Sequence, residues 1–243
     1  MQNMVAVIGH RGARCCAPEN TIPSFKMAVE AGVDAIELDV HLSRDGEVVV
    51  IHDDTLDRTT TGSGYVHDYT LGELKRLDAG VKFGEKWKGV RIPTLEEVFR
   101  EFGNRVSYIV ELKHGSDFYP GIEEEVVGLI REFKVKAKVV SFDFDALERV
   151  RAIDKDIEVG LIFIGKPRWF IDAARRLNAQ WLQAEYRLLT RSDIEIAHRA
   201  GLKIGVWTVN DVELARRLVE YGVDELTTDD PVRIVKELKG AVR

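Results

Sequence analysis

The chain has 243 residues with 41 acidic and 35 basic side chains, and its formal charge of −6 argues against a polyanion- or nucleic-acid-binding surface. Its 45% hydrophobic and 31% charged residues exclude bulk disorder and supply a sizeable core, split between two small domains or gathered in one large α/β domain. The longest apolar run, 159–165, falls far short of the ~18 residues a membrane span requires, so no transmembrane segment is expected.

The first four residues carry no basic cluster, and the apolar stretch after them breaks at Gly9-His10, which does not fit a secretion leader. Cys15 and Cys16 are adjacent, a spacing that suits neither a disulfide framework nor Cys-x-x-Cys zinc ligands. A reducing cytoplasm is the resulting expectation. Further along, β-type runs occupy 5–9, 35–40, 107–112, 138–142, 158–163, 181–185, 203–208 and 225–228.

Amphipathic stretches with legible ends separate these eight runs. Thr94 with Glu97, Ser192 with Glu195 and Asn210 with Glu213 read as capping boxes, and Asp230-Pro231 reads as an N-cap followed by an N1 proline. Gly32, Asn178, Gly201 and Gly222 can close helices in the left-handed conformation. Eight strand–helix units in ~250 residues predict a closed (β/α)8 barrel of parallel strands. The alternative is a doubly wound open sheet, but no Gly-x-Gly-x-x-Gly follows the first run, which removes its usual dinucleotide-binding form.

One interval breaks the alternation. Residues 53–93 contain a Thr/Gly/Ser-rich loop at 59–64 and one helical start at Thr70/Glu73, which reads as a small inserted subdomain in an otherwise single domain spanning 1–243. Tyr65, Tyr69, Phe83 and Trp87 are expected to form its core for the most part, with a lid over the barrel mouth as the other role open to them.

In a barrel of this kind, chemistry sits at the C-terminal ends of the strands. The second run ends Glu37-Leu38-Asp39-Val40-His41, with Glu37, Asp39 and His41 on one face. A two-residue hairpin at Asp45-Gly46 would place Asp39 opposite His52 and bring Glu37, Asp39 and His52 into one patch. The third run adds Glu111 and Lys113. Three converging carboxylates require a positive charge among them, and hard oxygen ligands select one divalent cation, Mg²⁺ or Ca²⁺. Ion pairs with Lys113 and Arg11 are the simpler alternative for Glu37 and Glu111. The first run delivers His10-Arg11-Gly12, in which Arg11 suits phosphate and Gly12 could admit a ligand to the backbone. His10 and His52 can serve as a base and an acid, in either order, while His41, His67, His114 and His198 are read as structural.

These residues resemble a known family. His10-Arg11-Gly12, Pro18-Glu19-Asn20-Thr21, Glu37-Leu38-Asp39-Val40 and the stretch from Ile51-His52-Asp53-Asp54 to Thr60 are similar to glycerophosphodiester phosphodiesterases, and the similarity continues through Glu111-Leu112-Lys113, Trp207-Thr208 and Thr228-Asp229-Asp230-Pro231. The resemblance implies cleavage of glycerophosphodiesters to an alcohol and glycerol 3-phosphate with a bound divalent cation. It implies Glu37, Asp39 and Glu111 as metal ligands, His10 as general base, His52 as general acid, and Arg11 and Lys113 as phosphate-binding residues. A glycerol hydroxyl of the substrate would attack first, giving a cyclic phosphate that water opens.

Asn20 either caps the first helix, the stronger expectation, or reaches the site. Trp207 either covers substrate or fills the barrel core. Two other functions fit the same residues: a lysophospholipase D type of activity on lysophospholipids, and a barrel that binds a phosphodiester without turnover, against which the full set of acid, base and ligand residue types argues.

Overall fold

Alternating apolar and polar residues give each β run one face for the helices and one for the barrel interior. The structure is a computed structural model that describes residues 5–240; the leader reading of Met1 to Met4 lies outside the described residues. Nine strands form, β1 (Ala6–Gly9), β2 (Ala35–Leu42), β3 (Val48–Val50), β4 (Ser107–Leu112), β5 (Ala137–Ser141), β6 (Glu158–Phe163), β7 (Trp181–Glu185), β8 (Lys203–Trp207) and β9 (Glu225–Thr228). All but β3 run parallel, in the order β1-β2-β4-β5-β6-β7-β8-β9, and β1 pairs with both β2 and β9 to close the barrel. This is the (β/α)8 barrel expected from the sequence.

The helices are α1 (Ile22–Glu30), α2 (Leu71–Leu74), α3 (Leu95–Phe102), α4 (Ile122–Phe133), α5 (Phe144–Ile153), α6 (Ile171–Arg176), α7 (Arg191–Arg199), α8 (Val212–Tyr221) and α9 (Pro231–Lys239). Outward residues of β2, Ile36, Leu38 and Val40, join Phe25 and Ala28 of α1 in the main core. Inward residues Ile8, Ala35, Ile109, Val140 and Ile162 plug the barrel at mid-height. That apolar layer separates the mouth from a buried Lys138–Glu225 ion pair near the strand starts.

Capping boxes form at Thr70/Glu73 and Thr94/Glu97, and Asp230 caps α9 ahead of Pro231. Two expected boxes are displaced. Thr190 with Asp193 starts α7 in place of Ser192 with Glu195, and Asp211 caps α8 in place of Asn210, because an equally good cap residue stands one or two positions away.

The hairpin after β2 also differs from expectation. Val40 pairs with Val50 and Leu42 with Val48, so Ser43 meets Glu47 across a three-residue loop that ends on Gly46 at φ +87°. A left-handed third residue is the usual way to close such a loop. Asp39 therefore faces Ile51, whose N–H donates to the Asp39 carbonyl, and not His52.

Val49, Ile51, Leu56, Val66, Leu74, Ala79 and Ile92 form a second, aliphatic cluster under the inserted segment. Tyr69 packs against it, but Tyr65 and Phe83 are exposed and Trp87 is half-buried, so the insertion's core is not aromatic. The sulfurs of Cys15 and Cys16 are joined in a vicinal disulfide, contrary to the reading of their spacing. Among the described residues no helix is long and apolar enough to cross a membrane.

Candidate active site

Glu37 and Asp39 share the inward face of β2, and the parallel register sets Asp39 beside Glu111 of β4. All three side chains offer carboxylate oxygens within 4.8 Å of one another. Burial pushes Glu37 well above the ordinary carboxylate range, and Asp39 and Glu111 push it further by repulsion. Burial, reinforced by Asp39, likewise raises Glu111 to about 7. Asp39 escapes this fate: burial would raise it, but Lys113 and Arg11 outweigh burial and hold it at about 2.

The simpler alternative of internal ion pairing is visible but insufficient. Lys113 Nζ lies 2.7 Å from Glu111 and 3.5 Å from Asp39, and the Arg11 backbone N–H donates to Glu37 at 2.9 Å. The Arg11 guanidinium is shared between Asp39, at 3.3 Å, and Glu19, at 2.8 Å. Arg11 and Lys113 are thus the two protein cations against the three buried carboxylates, and Arg11 is shared with Glu19, which Arg14 and Arg58 also contact. Asp39 Oδ1 is buried and accepts no hydrogen bond, with the Lys113 ammonium 3.5 Å from it. A strained acidic cluster with an oxygen that accepts no hydrogen bond fits a hard divalent cation held by Glu37, Asp39 and Glu111.

The two histidines flank this cluster with matching supports. His10 Nδ1 lies 2.6 Å from Asp229 Oδ1, leaving Nε2 4.0 Å from Glu37. His52 Nδ1 lies 2.6 Å from Asp53 Oδ1, leaving Nε2 3.1 Å from Lys113 Nζ. Burial lowers both imidazoles despite these carboxylates. A carboxylate acceptor at Nδ1 selects the tautomer and ring orientation that present Nε2 to the cavity. His52 reaches the patch although the register is shifted by one residue, because β3 ends at Val50 and the chain leaves the ladder before position 52. His41 stays out of the cluster: its ring, buried and lowered to about 4 mainly by that burial, bridges the Tyr119 hydroxyl at 2.8 Å and the His52 carbonyl at 3.0 Å.

A cavity of about 290 Å³ opens between these groups. Its lining includes the polar groups His10, Arg11, Glu37, His52, Glu111 and Lys113, and its apolar lining is Ile109, Val140 and Ile162 of the mid-height plug with Phe142 and Trp207 above them. The Trp207 indole N–H donates to the Gln183 carbonyl at 3.0 Å, and its ring meets Phe142 edge-on at 6.0 Å, so this residue both packs and faces the cavity.

Several neighbours change their expected roles. Asn20 does not cap α1; its amide donates to Asp39 at 2.8 Å while its carbonyl oxygen accepts from the Asp39 N–H at 3.3 Å. Gly12, at φ +86°, serves packing and not ligand access, since a Cβ there would collide with Ser24 and the Phe25 backbone. The sequence assigns no individual role to Asp229, Asp53 or Arg58, and it offers Asn210 as a helix cap. Asn210 donates to Asp229 at 2.8 Å and accepts from its backbone N–H at 2.8 Å. Arg58, from the insertion, grips both Asp53 and Glu19. The available signal was position: Asp229 directly follows β9 as His10 directly follows β1, and these strands are paired through Gly9 and Thr228.

Comparison with known proteins agrees with the geometry. The model of the glycerophosphoryl diester phosphodiesterase family matches residues 10–233. A glycerophosphodiester phosphodiesterase of Caldanaerobacter subterraneus is 43% identical, with 94% of this chain and 96% of that protein covered. One from Bacillus subtilis is 33% identical over 97% of this chain and 87% of its own length. Among solved structures, an Oleispira antarctica phosphodiesterase in complex with the product sn-glycerol-3-phosphate superposes with a TM-score of 0.93 at 30% identity, covering 97% of both chains. The chain belongs to the glycerophosphoryl diester phosphodiesterase family.

Proposed function

We propose that this protein hydrolyses small glycerophosphodiesters to an alcohol and glycerol 3-phosphate, with Mg²⁺ or Ca²⁺ held by Glu37, Asp39 and Glu111. The observation that carries this reading is the placement of two carboxylate-backed imidazoles on either side of a buried acidic triad. A bound cation would offset charge on the phosphoryl oxygens and ease ionisation of an attacking hydroxyl.

Arg11 and Lys113 add fixed positive charge where the phosphate enters. His10, with Nδ1 committed to Asp229, presents an unprotonated Nε2 as general base toward the attacking hydroxyl. His52, backed by Asp53, would deliver a proton to the leaving oxygen once Lys113, 3.1 Å from its Nε2, turns to the phosphate, and the two histidines would exchange roles when water opens a cyclic phosphate. Trp207, with Phe142, forms the wall against which the uncharged part of the substrate rests. We take 1–243 as one catalytic domain with 53–93 inserted in it.

The apolar lining of the cavity favours a second reading, head-group release from lysophospholipids. Incubation with glycerophosphocholine, glycerophosphoethanolamine, glycerophosphoglycerol and lysophospholipids, each with Mg²⁺, Ca²⁺ or chelator, separates the two. Cation-dependent release of glycerol 3-phosphate from the deacylated diesters is the expected result. Faster turnover of lysophospholipids would select the second reading, and no product with any substrate would overturn both.

A further inference from the structure

Hydrophobic side chains are normally scattered singly on a protein surface, so a cluster at one place calls for a partner. Phe142 (50% exposed), Ile164 (63%), Trp169 (74%) and Leu188 (48%) stand on the loops after β5, β6 and β7, which are neighbours in the barrel. Ile164 continues the inward alternation of Gly160 and Ile162, and Phe142 already lines the cavity, so this arc is continuous with the substrate's entrance.

The segment after β5 carries Asp143 and Asp145, so positive charge is confined to the loops after β6 and β7. Segments 164–170 and 186–192 contain Lys166, Arg168, Arg187 and Arg191 and no acidic residue, in a chain whose formal charge is −6. Lys166 and Arg187 pair with Asp193 and Glu185, each at 2.7 Å. Arg168 and Arg191 have no ion-pair partner among the described residues; Arg168 lies over the ring of Trp169 within the arc, while Arg191 reaches along the barrel flank to Tyr221 at the far end of α8.

We propose that this arc is a docking surface for an anionic phospholipid layer. Exposed tryptophan and aliphatic side chains interleaved with cations match the boundary between head groups and acyl chains, where indoles settle and Lys and Arg meet anionic lipid. The apolar residues rise from three separate loops around an opening, an arrangement that suits a soft, deformable layer better than a flat protein face. The consequence rests on the hydrolase reading: docking would hold the mouth close to the surface from which deacylated, lipid-derived phosphodiesters are released.

Co-sedimentation of the full chain with vesicles tests this. Binding to phosphatidylcholine–phosphatidylglycerol vesicles is expected to exceed binding to pure phosphatidylcholine by about tenfold or more, since each Lys or Arg near the surface is worth roughly fivefold. The double variant Trp169→Ala/Ile164→Ser loses this binding, and Lys166→Gln/Arg168→Gln removes the preference for anionic lipid. Glycerophosphodiester hydrolysis by all three proteins stays at the parental rate, which reports on the catalytic site separately from the docking surface. Equal binding to both vesicle types, or binding unchanged in Trp169→Ala/Ile164→Ser, overturns the proposal. So does lipid-free self-association of the parent that the same variant abolishes, because the arc would then join copies of the chain.

Discussion

His10 Nδ1 and Asp229 Oδ1 lie 2.6 Å apart, joining the end of β1 to the end of β9 across 219 positions of sequence. Asn210 fixes the carboxylate from the far side through Asp229 Oδ2. A base held in this way loses its alignment when its partner becomes neutral.

Asp229→Asn should therefore lower kcat by about 10²-fold to 10⁴-fold, the scale of positioned proton transfer, with KM changed far less. Steady-state kinetics on glycerophosphocholine checks this. A variant with wild-type kcat would reduce the carboxylate to a structural tie.

Arg58 makes a comparable tie from the inserted segment. It donates to Asp53 at 2.7 and 2.9 Å and to Glu19 at 2.7 and 2.9 Å, and its hydrogen bond is the main cause that holds Asp53 well below its usual range. Loss of a residue that orients a site group through its carboxylate typically costs about 10-fold to 100-fold in activity, so Arg58→Met should lower kcat/KM by about that factor. The melting temperature should barely move, because the arginine is exposed and its ion pairs contribute little to folding. Unchanged kcat/KM would show that the insertion does not order the catalytic end of β3.

Lys138 gives a pH signature remote from catalysis. Burial pulls its ammonium down to about 8, against the raising effect of Glu225. Between about 8 and the ordinary 10.5 the unfolded chain binds this proton more tightly than the native protein, so native stability rises with pH across that window. Below about 8 both states are protonated, and the cost of burying the charge is constant. Chemical denaturation of wild type and Lys138→Met should show the wild type gaining on the variant by up to about 3 kcal/mol through the window, an upper bound set by the size of the shift. A constant difference would contradict the lowered value.

The barrel was legible because strand periodicity and helix caps agree at nearly every unit, from Ala35–Leu42 to Glu225–Thr228. Convergence of Glu37, Asp39 and Glu111 followed from alternation plus strand adjacency, both local rules. The hairpin register failed for a local reason as well: Asp45-Gly46 permits a two-residue or a three-residue closure, and only the ladder at Val40–Val50 decides between them. Asp229 and Arg58 were missed because no short-range pattern links them to His10 or to Glu19. Asn20 was misread because a cap and a site residue have the same sequence signature, and burial against Asp39 alone separates them. The Cys15–Cys16 bond was missed because spacing rules address disulfides that close loops.

Calorimetric titration of the metal-free protein with Mg²⁺ and Ca²⁺, run in parallel on Asp39→Asn, is the most direct test of a cation shared by the buried acids. One site per chain in the wild type is expected. In Asp39→Asn that site should be lost, along with hydrolysis, while circular dichroism shows the barrel intact. Hydrolysis that survives exhaustive chelation, or a variant that binds the ion as the wild type does, would contradict the account.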